Sequence, residues 1–311
     1  MNNQTSNHST LEPAPLKITL LFATAVSFVL SLSLTDASAQ SSDDSGEITV
    51  MSYNIRFDNP DDGVNAWPNR SHHVAEIMSE NYDADIIGIQ EALDHQINDL
   101  HQQLAEYSWV GVGRDDGKDT GEFSPIFFKK ERFDLLSTNT FWLSETPQIP
   151  GSKSWDAAIT RVATWAKLKD RATEQEFYIL NTHFDHIGEQ ARVESSRMIT
   201  NFISGLEDEL PVIVTGDFNV PETSEAYAVI EESNALSDAR YVSESDHQGP
   251  TASFSDWEQL REPESRIDYI FVNNHVSVHT HRILDDRVDG RFPSDHLPVL
   301  VELSLKHLSK N

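Results

Sequence analysis

Polar and ionisable residues stand at, or just past, the ends of apolar runs that are typical of buried strands. This pattern occurs in five segments of the sequence: 52–56, 89–91, 181–186, 215–219 and 294–298. A sixth segment, 266–271, places Asp268 among β-branched and aromatic residues, where a charge is rarely tolerated without a partner. Because rigid scaffolds present catalytic groups at such positions, these segments are the first candidates for a functional site.

Carboxylates, amides and histidines dominate this set, and the chain has no cysteine. Taken alone, Glu91 could cap a helix, Asp217 could belong to a turn, and His183 could be a structural histidine. Taken together, they form an oxygen-rich donor set that suits a hard cation, so we predict Mg²⁺, with Mn²⁺ as its substitute. Zinc is the alternative, because His183-x-Asp185-His186 is similar to part of a zinc-ligand motif, but it would leave Glu91 and Asp217 without a role.

Hydrolysis of a phosphoester is the chemistry that these residue types fit. The reaction needs a polarised phosphoryl oxygen, an oriented water and stabilisation of the added negative charge. Glu91 would hold the metal ion, and Asn54 would be a neutral second contact. Asp217 would orient or deprotonate the attacking water, and Asn219 would hold the phosphate by hydrogen bonding.

Two histidines complete the predicted site. His296 would contact the phosphate, with its imidazole oriented by Asp268. His183 would be a second donor to the developing charge or to the leaving oxygen. The simpler interpretation of Asp295 and His296 is an ion pair on the surface.

The charge balance bears on the substrate. The chain has 311 residues, with 23 Lys and Arg against 51 Asp and Glu, which gives a formal net charge of −28. Proteins that hold DNA by its backbone do so through Lys and Arg, so tight non-specific DNA binding is not expected. A solvated surface adapted to salty surroundings explains the acidity equally well. The lack of cysteine excludes disulfides, thiolate metal sites and cysteine nucleophiles.

The N-terminal residues have the pattern of a signal peptide. An apolar run over 18–34 follows Lys17, and the small residues of an Ala-x-Ala cleavage site end at Ala39. We predict a signal peptide over 1–39, a polar linker over 40–46 and one domain over 47–311. The mature protein is then expected to be secreted or periplasmic, monomeric and without a stable membrane anchor. An uncleaved N-terminal anchor is the alternative.

Short β-rich runs and separated helices fill the rest of the chain. The patterns predict strands over 48–53, 85–90, 124–129, 133–142, 163–168, 177–181, 212–215, 267–272 and 297–303. Helices are predicted over 71–81, around Ile97 to Leu104, and over 191–206 and 224–232. Because strict βαβ alternation is missing, this order predicts an α/β fold of two packed mixed sheets flanked by helices.

From Glu47 onwards the sequence resembles the endonuclease/exonuclease/phosphatase superfamily. The resemblance rests on "GDFN" at 216–219 with "SDH" at 294–296, and is strengthened by "QE" at 90–91 and "RIDYIF" at 266–271. It implies a four-layer α/β/β/α sandwich and dependence on a divalent metal. It also implies a role for each matching residue. Asn54 and Glu91 match residues of the metal site, and Asp295 matches an Asp close to the metal. The pairs Asp217–Asn219 and Asp268–His296 match two catalytic pairs of the superfamily. His183 matches the histidine of the deoxyribonuclease-like branch.

Arginines are the candidates for substrate contacts. Arg56 stands where the abasic-site branch of the superfamily has Asp, and where the deoxyribonuclease-like branch has Arg. We predict that Arg56 and Arg161 bind the substrate, with Arg114 and Arg291 as further candidates; ordinary surface arginines are the alternative for each. Glu122 stands in the place of a glutamate that orients the histidine in the deoxyribonuclease-like branch.

The function predicted from the sequence is therefore metal-dependent phosphoester hydrolysis by direct attack of water. A phosphodiesterase or nuclease is preferred, because His183 and Arg56 match the deoxyribonuclease-like branch. The alternatives are a phosphomonoesterase acting on a small phosphorylated molecule or lipid headgroup, and a non-catalytic binding module on the same fold. The substrate class stays open among nucleic acids, nucleotides, sugar phosphates and lipid headgroups. Segments 67–70, 110–117, 121–128 and 141–147 resemble a secreted bacterial subgroup of unassigned substrate.

Four tryptophans lie in loop-like stretches and could stack a base, a sugar or a headgroup. They are Trp67, Trp142, Trp155 and Trp257. We expect at least two of them to pack within the fold instead.

Overall fold

The computed structural model describes residues 46–207, 209–260 and 266–307. The predicted signal peptide, 1–39, and all of the predicted linker except Gly46 lie outside these residues, so both stay predictions, as does the domain boundary. Across the described ranges, no helix has the length and apolar character needed to cross a membrane.

Two six-stranded sheets account for the strands in the described part of the chain. In chain order the strands are β1 (Glu47–Asn54), β2 (Ile86–Gln90), β3 (Tyr107–Val110), β4 (Ile126–Lys129), β5 (Phe133–Trp142), β6 (Val162–Asp170), β7 (Glu176–His183), β8 (Val212–Asp217), β9 (Ser237–Asp238), β10 (Asp268–Val272), β11 (Val276–Ile283) and β12 (Val299–Leu305). The helices are α1 (Ser71–Glu76), α2 (Asp94–Gln103), α3 (Glu189–Ser204), α4 (Glu225–Glu232) and α5 (Ala239–Val242).

The sheets are mixed, and their parallel pairs lie at the centre. One sheet has the order β11-β12-β1-β2-β4-β3 and the other β5-β6-β7-β8-β10-β9. β1 pairs with β2 in parallel, and β7 pairs with β8 in parallel, whereas the other strand pairs are antiparallel. Parallel neighbours end at the same edge of a sheet, so β1 with β2, and β7 with β8, deliver their carboxyl ends together.

Three apolar layers hold the sandwich together. Residues such as Val50 and Ile213 pack between the sheets. The outer face of the first sheet packs under α1 and α2, for example through Ile97, and the outer face of the second packs under α3 and α4, for example through Ile199. The predicted four-layer α/β/β/α sandwich is therefore confirmed.

Along the inner faces, side chains become polar towards one end of the sandwich. On each of three strands, an apolar residue in the middle is followed by a small polar residue and then by a predicted catalytic residue. The three residues are two positions apart, because every second side chain of a strand points to the same face. The residues concerned are Val50, Ser52 and Asn54 on β1, Ile179, Asn181 and His183 on β7, and Ile213, Thr215 and Asp217 on β8.

A buried polar network lies directly beneath the predicted site and joins the two sheets. Gln90 Nε2 donates to Asn181 Oδ1 at 2.7 Å, and the Thr215 hydroxyl donates to the same oxygen at 3.0 Å. Asn181 Nδ2 donates to the carbonyl of Ile89 at 2.7 Å. A Cβ added at Gly88 would lie 2.0 Å from Thr215 Oγ1, so the close approach of the sheets here requires glycine. The network fixes the spacing of the sheets where the site residues emerge.

Several elements differ from the sequence-based prediction. The helix predicted over 71–81 is α-helical only over Ser71–Glu76 and continues as a π-helical turn over Ile77–Asn81. β3, β9, β11 and α5 were not predicted. In β11 a register shift between Val278 and Thr280 breaks the alternation, and the fully buried His281 stands where an apolar residue is expected.

Candidate active site

The predicted site residues meet at the edge where the parallel strands end. Asn54 ends β1, Glu91 follows β2, His183 ends β7 and Asp217 ends β8. β10 runs antiparallel to β8, so its first residue, Asp268, lies opposite Asp217. Residues that are distant in the sequence are thereby placed around one cleft by the strand register.

The Asn54 side chain bridges the two sheets across this cleft. Its amide nitrogen donates to Glu91 Oε1 and to Asp217 Oδ2, both at 3.0 Å. Its amide oxygen accepts from the backbone N–H of Arg56 at 3.0 Å. The amide nitrogen of Asn54 thus links two carboxylates. A metal contact through its amide oxygen would require the side-chain amide to rotate by about half a turn.

Asp217 is the buried centre of the cluster. Its Oδ1 accepts from the backbone N–H of Asn219 at 2.9 Å, and its Oδ2 lies 3.3 Å from His183 Nε2 and 3.8 Å from His296 Nε2. Burial first, and then the negative charge of Asp268, raise the pKa of Asp217 to about 7. A carboxyl with this pKa can exchange a proton near neutral pH, as a group that deprotonates water must.

His296 is held by a carboxylate on its far side. Its Nδ1 lies 2.8 Å from Asp268 Oδ2, which also accepts from the Ser253 hydroxyl at 2.7 Å. Burial alone would lower the pKa of His296, but the charges of Asp268 and Asp217 raise it well above its ordinary value. The ring is therefore an imidazolium that donates to Asp268 and presents its Nε2–H to the cleft. Ser253 was not predicted, since a single serine in a loop carries no distinguishing signal.

The pKa of His183 is shifted in the direction opposite to that of His296. Burial first, and then the charges of Arg161 and Arg114, lower the pKa of His183 well below its ordinary value. Its Nε2 lies 3.0 Å from Asn219 Nδ2, which also donates to the carbonyl of Phe184 at 3.0 Å. The amide nitrogen can only donate, which favours a ring proton on Nδ1, whereas the carboxylate oxygen of Asp217, 3.3 Å from the same Nε2, can accept and favours a ring proton on Nε2. The predicted role of His183 as a second donor stays a prediction.

Glu122 was predicted to orient His183, but its main partner is an arginine. Glu122 Oε2 lies 3.9 Å from His183 Nδ1, which is too long for a hydrogen bond. The same oxygen accepts from Arg114 Nη1 at 2.5 Å and lies 3.9 Å from Arg161 Nη1. Burial first, and then the charge of Glu91, raise the pKa of Glu122.

Arg114 and Arg161, which we call the arginine pair, share the carboxylate of Glu122, and Asp115 Oδ1 also lies 3.9 Å from Arg114 Nε. Arg161 is buried, and its Nη2 lies 3.3 Å from His186 Nδ1. Its Nε and Nη1, and the Nε of Arg114, have no hydrogen-bond partner among the described residues. Buried N–H groups are rarely left unpaired, so the arginine pair has unused donors for an anion beside His183.

Arg56 lies on the opposite side of the cleft and provides a counter-charge for carboxylates. Its guanidinium donates to both oxygens of Asp62, at 3.1 and 3.2 Å. It also lies 3.9 Å from Asp295 Oδ2 and 4.0 Å from Glu91 Oε2. The two carboxylates predicted to belong to the metal site therefore face a common cation, and the predicted contact of Arg56 with substrate stays a prediction.

Three residues of the cleft have left-handed backbone conformations. The φ angles are 57° for Arg56, 66° for Glu91 and 52° for Asn219. This region is uncommon for residues other than glycine, and such conformations cluster at functional sites. At Glu91 the side chain accepts from the backbone N–H of Phe57 at 3.1 Å, which helps to hold the turn.

Some candidates lie outside the cleft. Trp67 and Trp142 are buried, and their indole N–H groups donate to Asp99 and to the carbonyl of Arg114, at 2.9 and 2.6 Å. The expectation that at least two of the four tryptophans pack within the fold is therefore confirmed. Arg291 is half-exposed and pairs with a glutamate at 2.6 Å on the surface, so the structure gives it no place in the cleft.

The donor groups in the cleft fit a divalent metal ion. Ligand atoms of Glu91, His183 and Asp217 lie within 4.8 Å of one another. The amide nitrogen of Asn54 donates to both Glu91 Oε1 and Asp217 Oδ2, so oxygens of two carboxylates converge on one neutral group. Hard cations such as Mg²⁺ and Mn²⁺ bind where carboxylate oxygens converge in this way.

Substitution of Glu91 tests this site directly. Glu91→Gln is expected to raise the dissociation constant for Mn²⁺, measured by titration calorimetry, by at least about 10-fold, because it removes a charged oxygen donor. Glu76→Gln is the control, since Glu76 belongs to a second group with ligand spacing, His72, His73 and Glu76 on α1. A loss of Mn²⁺ affinity in Glu76→Gln, with Glu91→Gln unchanged, would place the metal on the surface of α1 instead.

The fold and the cleft define a class of protein, an α/β sandwich with a carboxylate–histidine site suited to phosphoester chemistry. Residues 51–296 match the model of the Endonuclease/Exonuclease/phosphatase family, and the chain belongs to this family. Membership of this family supports hydrolysis of phosphoesters without specifying the substrate.

Solved structures of bacterial proteins share the fold over nearly their whole length. An endonuclease/exonuclease/phosphatase from Bacteroides vulgatus is 40% identical, with a TM-score of 0.80 over 84% of this chain and 99% of that chain. A mannosyl-6-phosphatase from Bacteroides thetaiotaomicron is 39% identical, with a TM-score of 0.78 over 83% of this chain and 100% of that chain. Nocturnin of Drosophila melanogaster is 23% identical over 180 residues, 53% of this chain. The match covers 30% or less of the length of the curated relatives.

Proposed function

We propose that the protein hydrolyses phosphate monoesters of small molecules, with sugar phosphates as the first candidates, in a reaction that depends on Mg²⁺ or Mn²⁺. The observation that carries the proposal is the arginine pair beside His183, which has buried N–H donors without hydrogen-bond partners among the described residues. The similarity to a mannosyl-6-phosphatase over 83% of the chain supports the same substrate class.

The charge of the substrate is the reason to prefer a monoester. A phosphate monoester carries about −1.5 to −2 charges at pH 7 and has three terminal oxygens, whereas a diester has two such oxygens and one charge. The arginine pair brings two guanidinium groups together at Glu122, whose pKa burial raises, and the half-exposed Asp115 lies 3.9 Å from Arg114 Nε. This local positive charge suits a dianion, and the acidity of the rest of the chain disfavours a long polyanion.

The residues of the cleft divide the reaction between them. Asp217 takes a proton from the attacking water, and Asn219 orients the phosphate. His296 donates its Nε2–H to a phosphoryl oxygen as negative charge builds up, while Asp268 keeps the imidazolium in place. Glu91 holds the metal ion which, when bound, polarises a phosphoryl oxygen. The P–O bond to the leaving group breaks, the leaving alkoxide takes a proton from solvent, and Asp217 returns to solvent the proton that it took from the attacking water, so the products are an alcohol and inorganic phosphate.

A substrate panel tests the proposal. The purified protein is assayed with mannose 6-phosphate, glucose 6-phosphate, p-nitrophenyl phosphate, bis-p-nitrophenyl phosphate, DNA and RNA, each with Mg²⁺, Mn²⁺ or EDTA. We expect metal-dependent release of phosphate from the monoesters, and loss of that release in Asp217→Ala. Faster cleavage of the diesters would favour the phosphodiesterase predicted from the sequence, and turnover in EDTA would contradict the metal dependence.

A further inference from the structure

Arg70 is a buried arginine whose hydrogen bonds all go to backbone carbonyls. It precedes α1 and is 4% exposed. Its Nε donates to the carbonyl of Asn65 at 2.7 Å, and its Nη2 donates to that of Arg56 at 2.8 Å. Its Nη1 donates to the carbonyl of Ile55 and, at 3.2 Å, to that of Pro293. No ion pair between Arg70 and a carboxylate is found among the described residues.

Three of these four carbonyls belong to the two loops that carry the cleft. Ile55 and Arg56 directly follow Asn54 at the end of β1, and Pro293 precedes the segment 294–296. The Ser294 hydroxyl adds a second link between the loops, since it donates to the carbonyl of Asn54 at 2.7 Å. Arg70 is thus a cross-link between one loop that brings a predicted metal contact and another that brings the imidazolium.

Two indole rings fix the plane of the guanidinium. Its central carbon lies 5.1 Å from the ring centroid of Trp67 and 5.2 Å from that of Trp257. A planar guanidinium has five N–H donors in a fixed fork, whereas lysine has a single ammonium that cannot reach four carbonyls in one plane. The site therefore specifies arginine by shape as well as by charge.

We infer that Arg70 is a positioning residue for hydrolysis, which sets the spacing between the Asn54–Arg56 loop and the segment 294–296 without contacting the substrate. The inference rests on the proposed function, because that function makes His296, in the segment 294–296, the donor to the phosphoryl oxygen. Displacement of reacting groups by about 1 Å can cost on the order of 10²-fold in rate, so a loosened cross-link should act on turnover more than on substrate affinity.

Arg70→Lys tests the inference, with Arg132→Lys as its matched control. Arg132 also joins both sheets, through Asp85 at 2.7 Å and Asp170 at 3.4 Å, but at the opposite end of the strands. We expect Arg70→Lys to lower kcat by about 10²-fold with little change in KM. We also expect it to weaken Mn²⁺ binding at the cleft. Both variants should lower the melting temperature by comparable amounts, but Arg132→Lys should retain the kcat and the Mn²⁺ affinity of the wild type.

The outcomes separate this inference from the proposed function. Wild-type kcat and Mn²⁺ affinity in folded Arg70→Lys would overturn the inference, as would equal losses of kcat in both variants. If the wild type hydrolyses no phosphoester but its Mn²⁺ affinity still depends on Arg70 and not on Arg132, the proposed function fails and the positioning role stands. If neither variant changes Mn²⁺ affinity in that case, both fail.

Discussion

Asp217→Asn is expected to lower kcat by at least about 10²-fold while the protein stays folded. The amide preserves the shape of the side chain but cannot take a proton from water. Its nitrogen cannot accept, so it retains only one of the two hydrogen bonds that Asp217 accepts from Asn54 Nδ2 and from the backbone N–H of Asn219. The loss of a hydrogen bond should be offset in the folded state, because burial and the negative charges of Asp268 and Glu91 raise the pKa of Asp217 and disfavour its charged form. Removal of one such charge relieves repulsion.

The measurement is kcat on the best monoester of the panel, together with the melting temperature. Asp170→Asn is a matched control, since Asp170 is also a fully buried aspartate but ends β6 at the other end of the sandwich. We expect kcat near that of the wild type in this control. Near-normal turnover in Asp217→Asn would remove Asp217 from the role of base and leave water activation to the metal site alone.

The acidity of the whole chain and the local charge of the cleft act on the substrate in different ways. The formal charge of −28 repels polyanions at a distance. At short range, Arg114 and Arg161 place two positive groups beside each other, and the burial of Arg161 strengthens their field. A small phosphorylated molecule can reach this positive cluster without laying a long charged backbone across an acidic surface. The combination favours compact substrates.

Sequence patterns identified the residues of the cleft because their chemistry is unusual at strand ends. Asp217, Asn219 and His296 stand in short motifs, and the period-2 pattern of β1, β7 and β8 points their side chains to one face. The order of the sheets was not predictable, since strand pairing depends on contacts between distant segments. The register that sets Asp268 opposite Asp217 is such a contact.

Other features depend on partners that leave no trace in the sequence. Arg70 binds backbone carbonyls, which every residue has, so only the fold could distinguish it from a surface arginine. The left-handed conformations of Glu91 and Asn219 are imposed by their surroundings, because neither residue type requires them. Glu122 lies near His183, as its place in the sequence indicated. Its hydrogen bond from Arg114 at 2.5 Å depends on the folded structure and could not be predicted from a sequence motif.

His296 and Asp268 are expected to behave as one unit when they are substituted together. His296→Ala should lower kcat by at least about 10²-fold, because it removes the imidazolium that faces the phosphate. Asp268→Asn should lower kcat by about 10- to 10²-fold, because the ring loses the negative charge that keeps both of its nitrogens protonated. The double variant should be no slower than His296→Ala, since Asp268 acts only through the ring that is already absent.

The double-mutant cycle discriminates between this arrangement and two independent contacts with the substrate. If the losses in kcat multiply, Asp268 has a direct role, and the 2.8 Å contact with His296 Nδ1 is incidental. A pH profile adds a second measure: in Asp268→Asn the upper limb should move to lower pH, because the charge of Asp268 is a leading cause of the raised pKa of His296. An unchanged upper limb would mean that a different group carries the proton, and the imidazolium would then lose its place in the reaction.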